Sequence, residues 1–233
     1  MNAIRQSAFI APGAAPVFPR DDSALAEPNG LIAIGGDLAP ERLIAAYRRG
    51  IFPWYESGQP ILWWTPDPRL ILLPQRFHAG HTLRRALRRG DFDIRFDSCF
   101  DAVIRTCAAP RGDEDGTWIT PEMIAAYGML HQQGFAHSVE VWRDSELIGG
   151  LYGIAMGTAF FGESMFSRES GASKLALHAL CQRLQPWPDA FIDCQVSSRH
   201  LLGLGAELVP RLAFARMCAT AVGTPGPWGN HLP

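Results

Sequence analysis

The second half of the chain carries a series of short strand patterns with one long helix pattern between them, and this order leaves few folds open. Strand patterns cover residues 138–142, 147–154, 158–163 and 191–196. The helix pattern, over residues 173–184, separates the third strand from the fourth, whereas a turn at residues 144–145 joins the first two. Strands joined by a tight turn pair in an antiparallel manner, so the pattern predicts a mixed antiparallel sheet with packed helices, an α+β fold.

The rest of the chain predicts further helices and two short strands. Helix patterns cover residues 40–49, 80–89, 121–133 and 200–204, and strand patterns cover residues 70–73 and begin again at 208–214. The prolines within residues 61–69 argue against a central strand there. We expect a domain boundary near residues 70–95, which gives an N-terminal domain of residues 1–70 and a C-terminal domain of residues 71–233.

Composition excludes several classes of protein. Hydrophobic residues make up 47% of the 233 residues, enough for a buried core, and the net charge of −2 excludes a globally basic nucleic-acid coat but not a local basic patch. The five cysteines are odd in number and lack C-x-x-C spacing, so we expect reduced thiols rather than a zinc site or disulfides. No apolar stretch has transmembrane length and residues 1–20 lack a signal-peptide pattern, so we expect a cytoplasmic protein that binds neither membrane nor metal.

Two polar residues interrupt the apolar strand pattern at residues 191–196. On a strand, Asp193 and Gln195 point to one face, whereas the apolar residues between and beside them point to the other. Burying polar side chains is costly unless they find partners, so this pair is a candidate functional site. A strand edge or a satisfied buried network would explain the same pattern.

The loop before the helix at residues 173–184 has the small residues typical of an anion-binding loop. Its backbone N–H groups would face an anion or a carbonyl at the start of the helix. Residues 168–173 nearly match the R-x-x-G-x-G/A loop with which acetyltransferases hold the pyrophosphate of coenzyme A, but Ser173 replaces the final small residue. An ordinary capped helix explains these residues equally well.

Longer stretches carry a resemblance to one family. They are EPNGLIAIGGDL (27–38), RGIFPWY (49–55), ILWWTPDPR (61–69), GTWIT (116–120), HSVEVWR (137–143), FGESMFSR (161–168), ASK (172–174), FIDCQV (191–196) and LGA (204–206). Because these motifs are long and stand in this order, the chain resembles the leucyl/phenylalanyl-tRNA–protein transferase family of the bacterial N-degron pathway. Residues 1–26 carry no part of the resemblance.

The resemblance implies both a fold and an activity. The family has a small N-terminal α/β domain and a larger C-terminal domain of acetyltransferase-like (GNAT/Fem-type) fold, related to the peptidyl-bridge ligases that also use aminoacyl-tRNA. Its members are aminoacyltransferases that move Leu or Phe from Leu-tRNA or Phe-tRNA to proteins beginning with Arg or Lys, which creates a degradation signal. Since an aminoacyl ester is already activated, we expect aminoacyl-tRNA as the co-substrate without a further cofactor, and a monomeric enzyme.

The resemblance also assigns catalytic roles. It places Asp193, Gln195 and Glu163 at the catalytic centre. The neutral amide of Gln195 can accept a hydrogen bond from the attacking α-amine, and the anionic Asp193 is expected where a cationic acceptor N-terminus docks. Glu163 is expected to recognise the basic end of the acceptor or the ammonium group of the amino acid, unless it caps the following helix or pairs with Arg168.

Aromatic and apolar residues predict the remaining walls of the site. Trp54 and Trp118 match the family's tryptophans that hold the 3′-terminal adenosine, and stacking on aromatic rings is the usual way to grip an unpaired RNA end. The adjacent Trp63 and Trp64 cannot both face inward, so we expect one of them in the core. The pocket for Leu or Phe is expected to contain Phe160, Met165, Leu177 and Ile192, which would otherwise be ordinary core residues.

A basic helix face predicts contact with RNA. The arginines concerned are Arg84, Arg85, Arg88 and Arg89, with Arg76 nearby, and no acidic residue lies between positions 76 and 90. Like charges at i,i+4 destabilise a helix on their own, so we expect these side chains to contact tRNA phosphates. Lys174, at a helix start near the expected site, is a further candidate. A solvated helix face is the alternative.

Two other functions are compatible with the sequence. An acetyl-CoA–dependent N-acetyltransferase would have the same fold, but Ser173 in the pyrophosphate loop and tryptophans suited to adenosine argue against it. A tRNA-binding module without catalysis would explain the arginines, but it would not explain Asp193 and Gln195 beside Glu163.

Overall fold

The computed structural model of the protein describes residues 7–110 and 117–229, so Gly116 of the GTWIT motif lies outside the described residues. The strands are β1 (Ala8–Ile10), β2 (Leu31–Gly35), β3 (Phe52–Pro53), β4 (Leu62–Trp64), β5 (Arg69–Leu72), β6 (Asp93–Phe96), β7 (Ala136–Arg143), β8 (Glu146–Met156), β9 (Ala159–Ser167), β10 (Phe191–Gln195) and β11 (Glu207–Val209). The helices are α1 (Pro40–Tyr47), α2 (His81–Arg89), α3 (Phe100–Ala108), α4 (Pro121–Gln132), α5 (Ala172–Leu184), α6 (Arg199–Leu202) and α7 (Arg211–Val222).

The strands form two sheets of unequal size. The first half of the chain builds a four-stranded sheet in the order β1-β2-β4-β3, and the remainder builds a seven-stranded sheet in the order β11-β5-β10-β9-β8-β7-β6. The larger sheet is antiparallel except for the pair β9 and β10, which α5 connects. This confirms the predicted α+β class with a smaller N-terminal and a larger C-terminal part, while the predicted domain limits at residue 70 stay a prediction.

Hydrophobic packing covers both faces of the seven-stranded sheet. On one face, α5 packs with Leu177 and Leu180 against apolar side chains of β7 to β10. On the other face, α3 and α4 pack together with α1 and with the buried ring of Phe214 from α7. A sheet buried on both sides explains why the polar side chains of its central strands need partners within the protein.

Two strand predictions are wrong, and proline explains both. Residues 61–69 were expected to stay out of a central strand, yet β4 lies between β2 and β3, because Pro60 and Pro66 flank the strand and leave its N–H groups free to pair. The strand expected over residues 208–214 ends at Val209, because Pro210 precedes the first turn of α7. No pattern in the sequence indicated β6 or α3.

Two features, a membrane-spanning helix and a metal-binding group of side chains, are absent from the described residues. Neither described range contains a helix with the length and apolar character needed to cross a membrane. In the same ranges no three or more His, Cys, Asp or Glu side chains are grouped so as to hold a metal ion. The five cysteines all lie in the described ranges, and their thiols are reduced.

Candidate functional site

The site forms where β10 separates from β9. The two strands pair from Phe191 to Asp193 only, and beyond that point the side chain of Gln195 bridges the gap with a 2.6 Å hydrogen bond to the carbonyl oxygen of Gly162. A bulge between Asp193 and Gln195 interrupts the pairing with β5 on the other side, and Gln195 has a left-handed backbone with φ of 57°. The bulge turns Gln195 out of the ladder and into the opening.

The orientation of the Gln195 amide follows from its neighbours. The carbonyl of Gly162 only accepts hydrogen bonds, so the Nε2 group of Gln195 must face it. The same nitrogen lies 3.3 Å from Oε1 of Glu163. No donor among the described residues is bonded to the Oε1 atom of Gln195, so this carbonyl oxygen is available as an acceptor.

Asp193 does not lie where a cationic substrate would meet it first. Its side chain is fully buried, and Arg69 donates to both carboxylate oxygens, with Nε to Oδ1 at 2.7 Å and Nη2 to Oδ2 at 2.6 Å. The structure therefore revises the expectation that Asp193 docks the acceptor directly, because its charge is already paired. Oδ1 also accepts from the backbone N–H of Gln195 at 2.9 Å, which makes Asp193 a support for that residue.

Glu163 lies in a cluster of tyrosines. The hydroxyl of Tyr47 donates to Oε1 at 2.7 Å, the hydroxyl of Tyr127 donates to Oε2 at 3.0 Å, and the two hydroxyls also contact each other. Burial raises the pKa of Glu163 to about 7 although the tyrosine hydrogen bonds oppose that shift. Glu163 neither caps α5 nor pairs with Arg168, so both alternatives weighed from the sequence are wrong.

The hydrogen count in this cluster shows that it can take up one proton. Three contacts join Tyr47, Tyr127 and Glu163 in a ring, and each contact requires one hydrogen. An ionised Glu163 accepts both phenolic hydrogens, whereas a protonated carboxyl group donates a third hydrogen to one tyrosine, which then donates to the other tyrosine instead of to Glu163. The cluster can therefore hold a proton beside the amide of Gln195.

The larger of two cavities at the site has a volume of about 480 Å³. All four residues expected for the amino-acid pocket line it: Phe160, Met165, Leu177 and Ile192. Leu151, Leu180 and Leu201 add further apolar surface, and Glu163, Asp193 and Gln195 lie in the same wall. The cavity is therefore apolar over most of its lining, with its two acidic side chains on β9 and β10.

The smaller cavity has a volume of about 140 Å³ and aromatic walls. Phe52, Trp54 and Trp118 line it, and Trp118 also lines the larger cavity. Glu163 and Gln195 are likewise common to both cavities. These two polar side chains therefore lie where the apolar cavity meets the aromatic one.

Of the adjacent Trp63 and Trp64, only one lies in the core, as the sequence predicts. Trp63 is fully buried, and its indole N–H donates to the carbonyl of Gly35 at 2.9 Å. Trp64 packs edge-on against Trp54, with ring centroids 6.2 Å apart, and its indole N–H donates to the carbonyl of Trp54 at 2.7 Å. Trp64 thus supports Trp54, whose side chain stays 45% exposed at the mouth of the smaller cavity.

The loop before α5 is closed by its own contacts. The backbone N–H of Ser173 donates to the hydroxyl of Ser167, and the N–H groups of Arg168 and Glu169 both donate to the carbonyl of Ile148. The guanidinium of Arg168 donates to the carbonyl of Leu147. Because these donors already have acceptors within the protein, the loop does not offer them to a pyrophosphate group.

The expected RNA-binding arginines lie on the surface. Arg84, Arg85, Arg88 and Arg89 are exposed on α2, and Arg76 is exposed in the preceding 3₁₀ turn. Acidic partners reach two of the five from outside the segment: Glu207 pairs with Arg76, and Asp91 lies 3.6 Å from Arg89. Among the ion pairs of residues 7–110 and 117–229, none involves Arg84, Arg85 or Arg88. Lys174 lies in the first turn of α5.

Sequence reasoning missed three residues of the site. Tyr47 and Tyr127 fall within the predicted helices at residues 40–49 and 121–133, but neither they nor Arg69 were given a role. A buried tyrosine normally needs a partner for its hydroxyl, and an arginine within the apolar pattern of residues 69–72 needs an anion, so both signals were present. Neither signal identifies the partner, because the partner is distant in sequence: Glu163 is 116 residues from Tyr47 and 36 residues from Tyr127.

Comparison with known proteins gives a consistent assignment over most of the chain. The family model described as leucyl/phenylalanyl-tRNA protein transferase matches residues 71–219. A second model, for the N-terminal domain of the same transferase, matches residues 36–67. The two matches together run from the end of β2 to α7.

Curated relatives carry the same description. The leucyl/phenylalanyl-tRNA–protein transferase of Stutzerimonas stutzeri is 55% identical over 208 residues, which covers 89% of this chain and 92% of the relative. That of Teredinibacter turnerae is 55% identical over 206 residues, covering 88% and 80%. Among solved structures, a GCN5-related N-acetyltransferase from Kribbella flavida is 12% identical with a TM-score of 0.36, covering 77% of this chain and 63% of that one.

Proposed function

The chain belongs to the leucyl/phenylalanyl-tRNA–protein transferase family, and from this premise we propose that it transfers Leu or Phe from aminoacyl-tRNA to the N-terminal Arg or Lys of acceptor proteins. One observation carries the proposal. Gln195 and Glu163 lie at the junction of the apolar and the aromatic cavity. An aminoacyl-adenosine has an apolar side chain at one end and an aromatic base at the other, and its ester bond lies between them.

The two cavities suit the two ends of this substrate. The larger cavity, at about 480 Å³, accepts the side chain of Leu or Phe, and the flexible Met165 in its wall suits both shapes. The smaller cavity would hold the terminal adenosine against Trp54 and Trp118, with the base stacked on an indole ring. In this pose the ester carbonyl comes next to Gln195.

The proposed reaction is an aminolysis of the ester. The neutral α-amine of the acceptor attacks the ester carbonyl, a C–N bond forms, and the bond from the carbonyl carbon to the ribose oxygen breaks. The amine loses one proton and the ribose oxygen gains one, so no external acid, base or oxidant is consumed. Because the ester is already activated, we propose that aminoacyl-tRNA is the only co-substrate and that no cofactor takes part.

Gln195 would orient the nucleophile. Its Oε1 is the open acceptor at the junction, whereas its Nε2 is held by Gly162 and Glu163. A hydrogen bond from the amine to this oxygen directs the nitrogen lone pair towards the ester carbonyl. The proton can then leave through the cluster of Tyr47, Tyr127 and Glu163 or through a ribose hydroxyl.

Glu163 would also favour a cationic acceptor. The carboxylate of Asp193 is neutralised by Arg69, which leaves Glu163 as the acidic group shared by both cavities. An N-terminal Arg or Lys brings a positive side chain to this partly buried group, and attraction is strong where water is scarce. An acceptor beginning with Ala offers no such charge.

The remaining partner contacts belong to the body of the tRNA. The exposed arginines of α2, with Arg76 and Lys174, would contact phosphates beyond the terminal adenosine. We propose that the protein acts as a monomer in the cytoplasm, where aminoacyl-tRNA is made.

Transfer of radiolabelled Leu from leucyl-tRNA to two peptides tests the proposal. The peptides differ only in beginning with Arg or with Ala. We expect label on the Arg peptide alone and no label after RNase treatment. Label from acetyl-CoA instead, or no label from leucyl-tRNA or phenylalanyl-tRNA, would overturn the proposal.

A pair of variants ties the activity to the site. We expect Gln195→Ala to lower the rate by roughly 10²- to 10⁴-fold, because the amine loses its acceptor. Gln132→Ala changes a glutamine exposed on α4 and should leave the rate unchanged. Equal rates in the two variants would remove Gln195 from the mechanism.

A further inference from the structure

Arg69 occupies an unusual place for an arginine. It is the first residue of β5, its side chain is fully buried, and its guanidinium holds both oxygens of Asp193. A buried ion pair of this kind is weak support for stability, since the cost of removing two charges from water offsets much of their attraction. A role other than stability therefore needs to be considered.

Two aromatic rings pack against the guanidinium of Arg69. Its carbon lies 4.8 Å from the ring centroid of Phe52 and 4.5 Å from that of Phe214. Phe52 belongs to β3 of the small sheet and Phe214 to α7, so three separate elements meet at one side chain. Such packing leaves the guanidinium one orientation.

Arg69 is connected to Gln195 through hydrogen bonds to Asp193. Oδ1 of Asp193 accepts from Nε of Arg69 and from the backbone N–H of Gln195. Gln195 has a φ of 57°, a left-handed conformation that is unfavourable for a residue with a Cβ atom. The hydrogen bond from its N–H holds Gln195 in this conformation, in which the side chain reaches Gly162.

We propose that Arg69 is a positioning residue for the transfer reaction, which fixes the reactive amide of Gln195 through the carboxylate of Asp193 without touching either substrate. The inference rests on the proposed function and deepens it. Phe52 lies two residues before Trp54, so the same guanidinium also ties the aromatic cavity to the catalytic amide.

Steady-state kinetics of Arg69→Met and Arg69→Lys test the inference. Methionine removes the charge and both donors, whereas lysine keeps the charge but replaces the two-pronged contact by one ammonium group. We expect Arg69→Met to lower kcat about a hundredfold and Arg69→Lys about tenfold, with the KM for leucyl-tRNA changed by less than about twofold. A role in substrate binding would raise KM instead.

Arg42 provides the matched control. It is 2% exposed and donates through Nε and Nη2 to the two oxygens of Asp37, both at 3.1 Å, but it lines neither cavity. Arg42→Met and Arg42→Lys therefore disturb an ion pair with the same two-pronged contact, in which the arginine is buried and the aspartate is partly exposed. We expect them to lower the urea midpoint of unfolding while kcat per folded molecule stays at the wild-type value.

The outcomes separate this inference from the function on which it rests. If the wild-type protein transfers neither Leu nor Phe, the proposed function fails. If it does, and folded Arg69→Lys keeps the wild-type kcat, the positioning role is overturned. The positioning role is also overturned if kcat falls in both the Arg42 and the Arg69 variants, and in each variant only in proportion to its loss of stability. Should Arg69→Met not fold, Arg69→Lys alone decides.

Discussion

At the scale of single residues, the chemistry depends on the surroundings of two carboxyl groups, Glu163 on β9 and Asp193 on β10. Glu163 is partly buried, and burial raises its pKa to about 7, while hydrogen bonds from Tyr47 and Tyr127 limit the rise. Asp193, two residues from Gln195, instead has Arg69 as a dedicated counter-ion. One strand pair thus holds a carboxyl group that can exchange a proton near neutral pH and another that serves as a fixed support.

The first residue-scale prediction concerns pH. If ionised Glu163 assists removal of the proton from the acceptor amine, kcat/KM should rise as the pH increases through about 7. The α-amine of the acceptor itself titrates near ~8 and should add a second ionisation. The pH profile of Arg-peptide transfer measured from pH 5 to 9 should show both steps in the wild type and only the upper one in Glu163→Gln.

Stability provides the control for that profile. The folded-state pKa of Glu163 lies above its ordinary value of 4.5, so between the two values the folded protein binds more protons than the unfolded chain. The contribution of this group to stability is therefore complete below pH 4.5 and is lost as the pH rises through about 7. Urea unfolding should show this loss in the wild type but not in Glu163→Gln; two identical pH profiles of stability would refute the raised pKa.

At the scale of elements, α2 is the clearest candidate for contact with RNA. Leu83 is its buried residue, and its arginines face water. Left-handed Gly90 ends the helix, so the segment is short and well defined. An exposed basic helix acts on a nucleic acid mainly through its charges, and such interactions weaken predictably with salt.

This leads to a prediction for Arg84→Ala/Arg88→Ala. We expect the KM for leucyl-tRNA to rise, and the slope of log KM against log salt to fall by about one for each phosphate that the variant no longer neutralises. Transfer from a leucyl-adenosine fragment should be unchanged, because the fragment lacks those phosphates. Arg216→Ala removes an exposed arginine from α7 and is the matched control. An unchanged salt slope in the double variant would leave α2 as a solvated face.

The sequence predicted most elements but not all of their limits. The patterns at residues 138–163 and 173–184 correctly indicated β7, β8, β9 and α5 because one or both faces of these elements are buried and the periodicity is strong. Strand β4 was misjudged because proline excludes a strand only where it stands in the ladder. Strand β6 alternates between exposed and half-buried residues, so its hydrophobic pattern was too weak to detect.

At the scale of the whole molecule, the site is assembled from distant parts of the chain. Arg69 and Asp193 are 124 residues apart, and Tyr47 and Glu163 are 116 residues apart. The pair at Asp193 and Gln195 interrupts a local apolar pattern, whereas the four residues of the larger cavity were expected only from the family resemblance. Local patterns do not encode tertiary packing. That packing determines which charged groups pair and which hydroxyl contacts which carboxylate.

The packing of Gly50 against Phe214 of α7 offers a test at the scale of the whole molecule. Gly50 has a φ of 67°, and a Cβ atom built there would lie 2.3 Å from Cε1 of Phe214, the ring that covers Arg69. Gly58 has a similar φ of 81° but nothing within 4 Å of its Cβ position. The two glycines thus share the backbone strain of an alanine substitution and differ in the clash.

We therefore expect Gly50→Ala to destabilise the protein more than Gly58→Ala. The left-handed backbone costs both variants ~1–2 kcal/mol. Gly50→Ala should lose a further ~1–3 kcal/mol in urea unfolding, because Phe214 must move. Since that ring holds Arg69, the kcat for Leu transfer should fall in Gly50→Ala and stay at the wild-type value in Gly58→Ala. Equal losses of stability and equal kcat values would mean that the packing of Phe214 against Gly50 has no part in fixing the catalytic amide.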